Sequence, residues 1–336
     1  MANALRRMLW LTVLGFAPAQ AQDFYRGKTV TIVVSTSTGG GYDAMARAIA
    51  RHIGRHVPGN PNFVIRNMPG AGGIAAVNWL FNVAEKDGTI VGLVSNATPL
   101  EPLFGTKEAR YDATRFNWLG TPSFETAMVL LWHTVPVNSI QDLKTRETNM
   151  GASGANSTPA FYTRVFNATL GTRMKLIAGY PGQSNALLAM ERGELDGYPS
   201  VFYSALTSTR PTWLANKQAK AIFQYGPERL KELPDVPFAP DLLSGNDDKL
   251  LMQAAVAPLA LGRPLLMPPN VPPDRVAALR KALGDTFRDA AFQAEAEKIG
   301  VIVNAPRTGE QLQDVIVKAY ATPSRVVDRL QKLNNP

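Results

Sequence analysis

Two short runs carry residue types that hold an anion without a fixed positive charge. Thr38-Gly39-Gly40-Gly41-Tyr42 stands before a helical run opening at Asp43. Ser153-Gly154-Ala155-Asn156-Ser157-Thr158 stands before Pro159, which suits a first helical residue with Thr158 as its cap. Glycines let the backbone approach a ligand, hydroxyls donate hydrogen bonds, and a helix N-terminus adds unpaired N–H groups and a positive dipole end. Two such loops facing each other would grip a carboxylate from both sides. The candidate contacts are Thr38, Gly40, Gly41 and Tyr42 from the first loop and Ser153, Asn156, Ser157 and Thr158 from the second. Ser95, Asn96 and Thr98, at the carboxyl end of a strand, should border the same crevice. Tyr42, Tyr180 and Tyr198 are candidates to cover an apolar ligand body. Asp196 would receive a ligand amine or hydroxyl, or else anchor the turn before Gly197. Asp43 reads as a helix N-terminal residue, since a bare Asp would repel a bound carboxylate. Gly70–Gly73 reads as a structural turn.

Other chemistries fit less well. Neither glycine cluster gives G-x-G-x-x-G or a Walker loop, which argues against a nucleotide. Gly151-Ala152-Ser153-Gly154-Ala155 falls one glycine short of a nucleophile elbow. An exported α/β hydrolase using Ser153 is the alternative from another class, and its base would have to be His52, His56 or His133. His52 and His56 share a helix face, but Ile53 occupies the place where a zincin needs its glutamate, so they read as a solvated pair beside Arg51 and Arg55. Cysteine is absent, which removes disulfides, thiol nucleophiles and thiolate metal sites. No cofactor and no metal are expected.

The loops need elements to hold them. Thr29–Ser35 is a β-branched run that reads as a buried strand, and Asp43–His56 repeats apolar residues at helical spacing through Met45, Ile49 and Ile53. A strand at Phe63–Arg66, a helix at Ile74–Ala84 and a strand at Thr89–Val94 complete a βαβαβ unit, hence a parallel sheet. A second unit starts near Met128–Trp132. It continues through a short helix at Ile140–Leu143, a strand at Asn149–Ala152, the Pro159 helix, a strand at Lys175–Ala178, a helix at Asn185–Glu191 and a strand at Leu195–Tyr198. After a proline-rich connector, Asp274–Gly284, Asp289–Ile299 and Gly309–Ala319 read as three helices packed back on the first unit.

Arg6 and Arg7, the apolar run Leu9–Phe16 and Ala19-Gln20-Ala21 form the three parts of a secretory signal peptide cut after Ala21. The apolar run is shorter than the roughly 20 residues a bilayer span needs. The formal charge is +8, or +6 without Arg6 and Arg7. No Lys/Arg cluster of nucleic-acid type accompanies it, and a mildly positive field would gather anionic solutes.

Several motifs resemble the receptor component of tripartite tricarboxylate transporters, the Bug or TctC proteins. They are Gly39-Gly40-Gly41-Tyr42-Asp43 with Ala46-Arg47, Asn67-Met68-Pro69-Gly70-Ala71-Gly72-Gly73, and Asp87-Gly88. Gly179-Tyr180-Pro181-Gly182, Gly193-Glu194-Leu195-Asp196 and Pro269–Arg275 with Leu279-Arg280 follow in the same order. The resemblance implies a type II-like, two-lobed periplasmic binding protein with a carboxylated ligand closed between the lobes and no catalysis. It also implies membrane permease subunits as partners; the protein is expected to be a monomer. There are departures. Ser35-Thr36-Ser37-Thr38 replaces a common Pro-Phe-x-Pro, and Tyr42 stands where Thr is common. Some amino-acid-binding members carry a carboxylate near what is Ser200 here, and the resemblance makes Ser200 a candidate ligand contact. The expected organisation is a signal peptide at 1–21, a first lobe at 22–125 plus 257–336, and a second at 126–256. Each lobe is expected to be a mainly parallel sheet flanked by helices.

Overall fold

The computed structural model describes residues 24–155 and 157–335; the expected signal peptide and Asn156 lie outside the described residues. Strand β1 (Thr29–Val34) is apolar on both faces because both are covered. Val30, Ile32 and Val34 face one core and Val33 faces another. Helix α1 (Gly41–Ile53) buries Met45, Ala46, Ala48, Ile49 and Ile53 along one stripe, as its spacing requires. Strand β2 (Asn62–Asn67), helix α2 (Ile74–Asn82) and strand β3 (Ile90–Leu93) follow, and β1 pairs in parallel with both β2 and β3.

Strand β4 (Asn117–Thr121) ends the first pass. The chain then builds a second sheet from β5 (Ala127–Trp132), β6 (Thr148–Ala152), β7 (Met174–Ala178), β8 (Gly197–Phe202) and β9 (Ala219–Tyr225). Its helices are α3 (Ile140–Thr145), α4 (Thr158–Leu170), α5 (Gln183–Glu191) and α6 (Tyr203–Thr209). Helix α7 (Asn246–Leu261) leads back to β10 (Leu265–Met267), then α8 (Pro273–Arg288), α9 (Ala290–Lys298), β11 (Arg307–Thr308), α10 (Gly309–Tyr320) and α11 (Ser324–Asn334). The sheet orders are β11-β4-β10-β3-β1-β2 and β7-β6-β8-β5-β9.

The two-sheet α/β frame stands, but each sheet is mixed where a mainly parallel one was expected. β10 runs antiparallel to β3 and β4, and β5 runs antiparallel to β8 and β9. Both β5 and β10 follow a crossing between sheets rather than a βαβ return, so the right-handed parallel crossover does not govern their direction. The C-terminal region also differs from expectation. It holds a fourth helix, α11, and two short strands. Helices α8 and α9 pack on α1, whereas α11 packs on α7 and α4.

Three cores result. One lies between the first sheet and α1, α8 and α9; one lies between the second sheet and α5 and α6. The third is continuous across both sheets and includes Val33, Trp118, Val129, Phe166, Leu251 and Leu312. Helix α7 supplies its centre, buried on every side from Leu251 to Leu261 apart from Gln253.

Candidate functional site

Asp43 fixes the first glycine loop. Its carboxylate accepts hydrogen bonds from Gly39 N at 2.9 Å, Asn67 Nδ2 at 3.0 Å and Arg47 Nε at 3.0 Å. Asn67 also donates to the Thr36 carbonyl at 3.0 Å, tying β2 to the loop. The bond from Arg47 is the main reason the Asp43 carboxyl is held down to about 2. Asp43 is thus the loop's anchor rather than a ligand contact. Helix α1 begins two residues earlier than expected, with Gly40 in extended backbone before it.

Tyr42 bridges the turn after β3 and the chain crossing after α7. Its hydroxyl donates to the Gly262 carbonyl at 3.4 Å and accepts from Asn96 N at 3.2 Å. Asn96 belongs to the turn after β3, which Ser35 Oγ pins by accepting from Ser95 N at 2.9 Å and Thr98 pins by donating to the Ser95 carbonyl at 2.6 Å. Across the gap, Ser157 rather than Thr158 is the N-cap of α4, with Pro159 at the second helical position. Proline is tolerated there for the same reason as at the first position: neither N–H has an intrahelical partner. The Ser157 hydroxyl donates to the Gly154 carbonyl at 2.7 Å instead of capping the helix.

These elements enclose a cavity of about 690 Å³ that takes its walls from both sheets. Tyr42, Asn96, Ser157 and Thr158 line it, as do the chain crossings at Ser123, Glu125, Leu259, Gly262 and Arg263. Phe104, Phe161, Tyr162 and Phe202 give it an aromatic wall. Of the other expected residues, Thr38, Gly40 and Ser153 are solvent-exposed and do not line the cavity; Gly41 is exposed too but lies beside Arg263. Ser95 and Thr98 shape the β3 turn. Tyr180 and Tyr198 pack in the outer core of the second sheet. The Asp196 carboxylate accepts from Asn149 N at 2.7 Å, an anchor between strands, and Ser200 is buried within β8.

Arg263 and Glu125 line the cavity without belonging to any motif that marks a site in the sequence. Arg263 follows the last turn of α7, where its backbone N–H donates to Thr121 Oγ1 at 3.0 Å. Its Nη1 is buried without a hydrogen-bond partner. A buried guanidinium nitrogen left unpaired is costly unless a ligand completes it. Glu125 accepts from Ser204 Oγ at 2.8 Å, and burial pushes its carboxyl up against the opposing effects of Ser204 and Arg263. The sequence signal for both was position alone: each sits at a point where the chain crosses between sheets.

His52 at the end of α1 and His56 in the 3-10 turn that follows it are not a solvated pair. His52 is buried, lies edge-on to Phe292 and bonds Glu295 on α9 at 2.6 Å; His56 bonds Asp289 at 2.9 Å. His52 fastens α1 to α9, and His56 fastens the following turn to the N-cap of α9. Ser153 is exposed just after β6, His52 and His56 bond Glu295 and Asp289, and among the described residues no hydrogen bond joins Ser153 to His52, His56 or His133, so no hydrolytic pairing supports the alternative reading.

Two α/β halves with a polar-and-aromatic cavity between them define the molecule as a two-lobed binding protein. Residues 45–331 match the Tripartite tricarboxylate transporter family receptor, TctC, and the chain belongs to that family. It is 25% identical over 246 residues to a UPF0065 protein of Agrobacterium vitis from the TAR-I ttuE–ttuC′ intergenic region. That alignment covers 68% of this chain and 65% of the relative's length. Among solved structures, a TctC solute-binding protein from Polaromonas, without ligand, is similar at 19% identity and a TM-score of 0.71, covering 93% of this chain and 99% of that one. MatC from Rhodopseudomonas palustris with bound malate is 19% identical with a TM-score of 0.55, over 92% and 99% of the two chains. An R. palustris protein with adipate is 18% identical with a TM-score of 0.57, over 90% and 97%.

Proposed function

We propose that this chain is a periplasmic receptor that captures a small carboxylated organic molecule between its two halves and delivers it to the membrane subunits of a tripartite transporter, without catalysis. One observation carries the reading: the cavity between the sheets holds Arg263, whose buried Nη1 has no partner in the protein. A carboxylate oxygen is the natural acceptor for such a nitrogen. Ser157 and Thr158 at the start of α4 and Asn96 opposite add neutral donors. Family membership supports a receptor role, and the malate and adipate bound by related folds support the carboxylate class.

A thermal-shift screen over carboxylated metabolites tests this. A ligand present at a hundred times its Kd stabilises the native state by about 2.7 kcal/mol, a clear rise in Tm. The stabilising compound should be recovered unchanged after prolonged incubation. If no carboxylate raises Tm, or if Arg263→Gln binds the best one as tightly as the parent, the reading is wrong.

A further inference from the structure

The cavity's charges are unusual for a receptor of multiply charged anions. Among the described residues that line it, the charged side chains are Arg263, Glu101 and Glu125. One cation faces two carboxylates. A citrate or succinate would bring two or three more negative charges into this chamber and find one guanidinium to receive them. Glu101 accepts from Thr106 Oγ1 and Glu125 from Ser204 Oγ, so each carboxylate is held by a neutral hydroxyl. Arg263 lies near enough to Glu125 to oppose the rise of its carboxyl, but no ion pair joins Arg263 to either carboxylate, and its buried Nη1 has no partner. The uncharged lining is mixed: Asn96, Ser157 and Thr158 are polar, while Phe104, Phe161, Tyr162, Phe202, Pro258 and Leu259 form an apolar wall.

We propose that the solute is an amine-bearing monocarboxylate with an apolar body, such as an apolar or aromatic α-amino acid, its carboxylate on Arg263 and its ammonium on Glu125. This rests on the receptor reading above and names the substrate class of that same cavity. A zwitterion satisfies both charges at once and adds no net charge to a lining that already has an excess of carboxylate. The aromatic wall takes the side chain. Raised by burial, the Glu125 carboxyl gains most from a cation placed beside it.

Paired probes test the assignment: L-phenylalanine against 3-phenylpropionate, L-leucine against 4-methylpentanoate, with succinate and citrate alongside, each titrated by calorimetry. At least one amino acid should bind at least about tenfold more tightly than its amine-free partner and more tightly than succinate or citrate. Glu125→Gln keeps an acceptor for Ser204. It should remove that preference by lowering the amino acid's affinity at least about tenfold, while the amine-free acid's affinity does not fall. If the amine-free acids, succinate or citrate bind best in the parent protein and lose affinity in Arg263→Gln, the amine assignment is overturned and the receptor reading stands. If none of the six probes binds, or none depends on Arg263, both are overturned. Should Glu125→Gln fail to fold, the ranking of probes on the parent protein decides alone.

Discussion

Gly262 and Ser123 meet where the chain crosses between the two sheets: a Cβ placed on Gly262 would stand 1.9 Å from the Ser123 carbonyl oxygen. Gly262 also holds a φ of +60°, in the region that L side chains rarely adopt. Around this contact, Thr121 Oγ1 donates to the Ser123 carbonyl at 2.8 Å and accepts from Arg263 N, and Glu125 N donates to the Leu259 carbonyl at 3.0 Å. The two crossings are stitched to each other, and the stitching sets where Arg263 and Glu125 stand.

Gly262→Ala should therefore destabilise the protein by about 2 kcal/mol or more, from backbone strain and the clash together. Urea unfolding of the unliganded protein measures this. A variant with the parent's midpoint would show that the crossing has room the structure does not display.

Arg263→Gln should fold normally and lose affinity for the cognate carboxylate by about ten- to a hundredfold, the range of a hydrogen bond to a charged group. Gly40→Val makes the contrast. Gly40 is exposed, a Cβ there meets only the Ser37 carbonyl at 4.0 Å, and it does not line the cavity. Its affinity should match the parent's. Calorimetry giving the reverse order would move the carboxylate to the glycine loop.

Asp43 predicts a pH dependence. Its carboxyl sits at about 2 in the folded protein against 3.8 ordinarily, chiefly through Arg47. A lowered native value means that the charged form stabilises the fold above the unfolded value, and that this contribution is lost as pH falls through the native one. Asp43→Asn lacks the contribution throughout. The gap in urea midpoint between parent and variant should be full at about pH 5 and close progressively towards about pH 2. A gap that stays constant over that range would assign the stabilisation to some other property of the side chain.

Ligand binding should draw the two halves together, because Tyr42 and Asn96 come from one and Ser157 and Thr158 from the other. Small-angle scattering with saturating ligand should give a smaller radius of gyration than without. An unchanged value would leave binding intact and remove closure from the mechanism.

Processing gives an independent check. The mature protein recovered from the periplasm should begin at Gln22, and Ala21→Arg should block cleavage, since the peptidase site takes a small residue there. A mature chain that retains Trp10 would contradict export by this route.

Sequence periodicity identified β1, α1, β2, α2 and β3 because each buries its apolar residues locally, at a spacing of two or 3.6 or as an unbroken run. Helix α7 escaped it. Its second half is apolar all round because the core surrounds it, so no amphipathic stripe exists to be read. β10 and β11 are three and two residues long and exist through pairing with β4 and β3, more than 140 residues earlier in the chain. The site divided along the same line. Tyr42, Asn96, Ser157 and Thr158 belong to strand-to-helix turns with a local composition signal. Arg263 and Glu125 face the cavity because of where two distant crossings meet, and neither has a local pattern. Asp196 and Ser200 looked polar enough for a ligand, yet the sheet uses the first as an anchor and buries the second.

The insertion of the second sheet between β4 and β10 also determines how the molecule would bear a pulling force. Residues 127–261 leave and rejoin the first sheet at neighbouring points, where Ser123 touches Gly262. The bonds at Thr121, Ser123, Leu259 and Arg263 hold the two ends of the insertion together. Tension between residues 24 and 335 should strain that junction, and it should also load helix α4 of the second sheet, to which Arg164 and Arg329 moor α11.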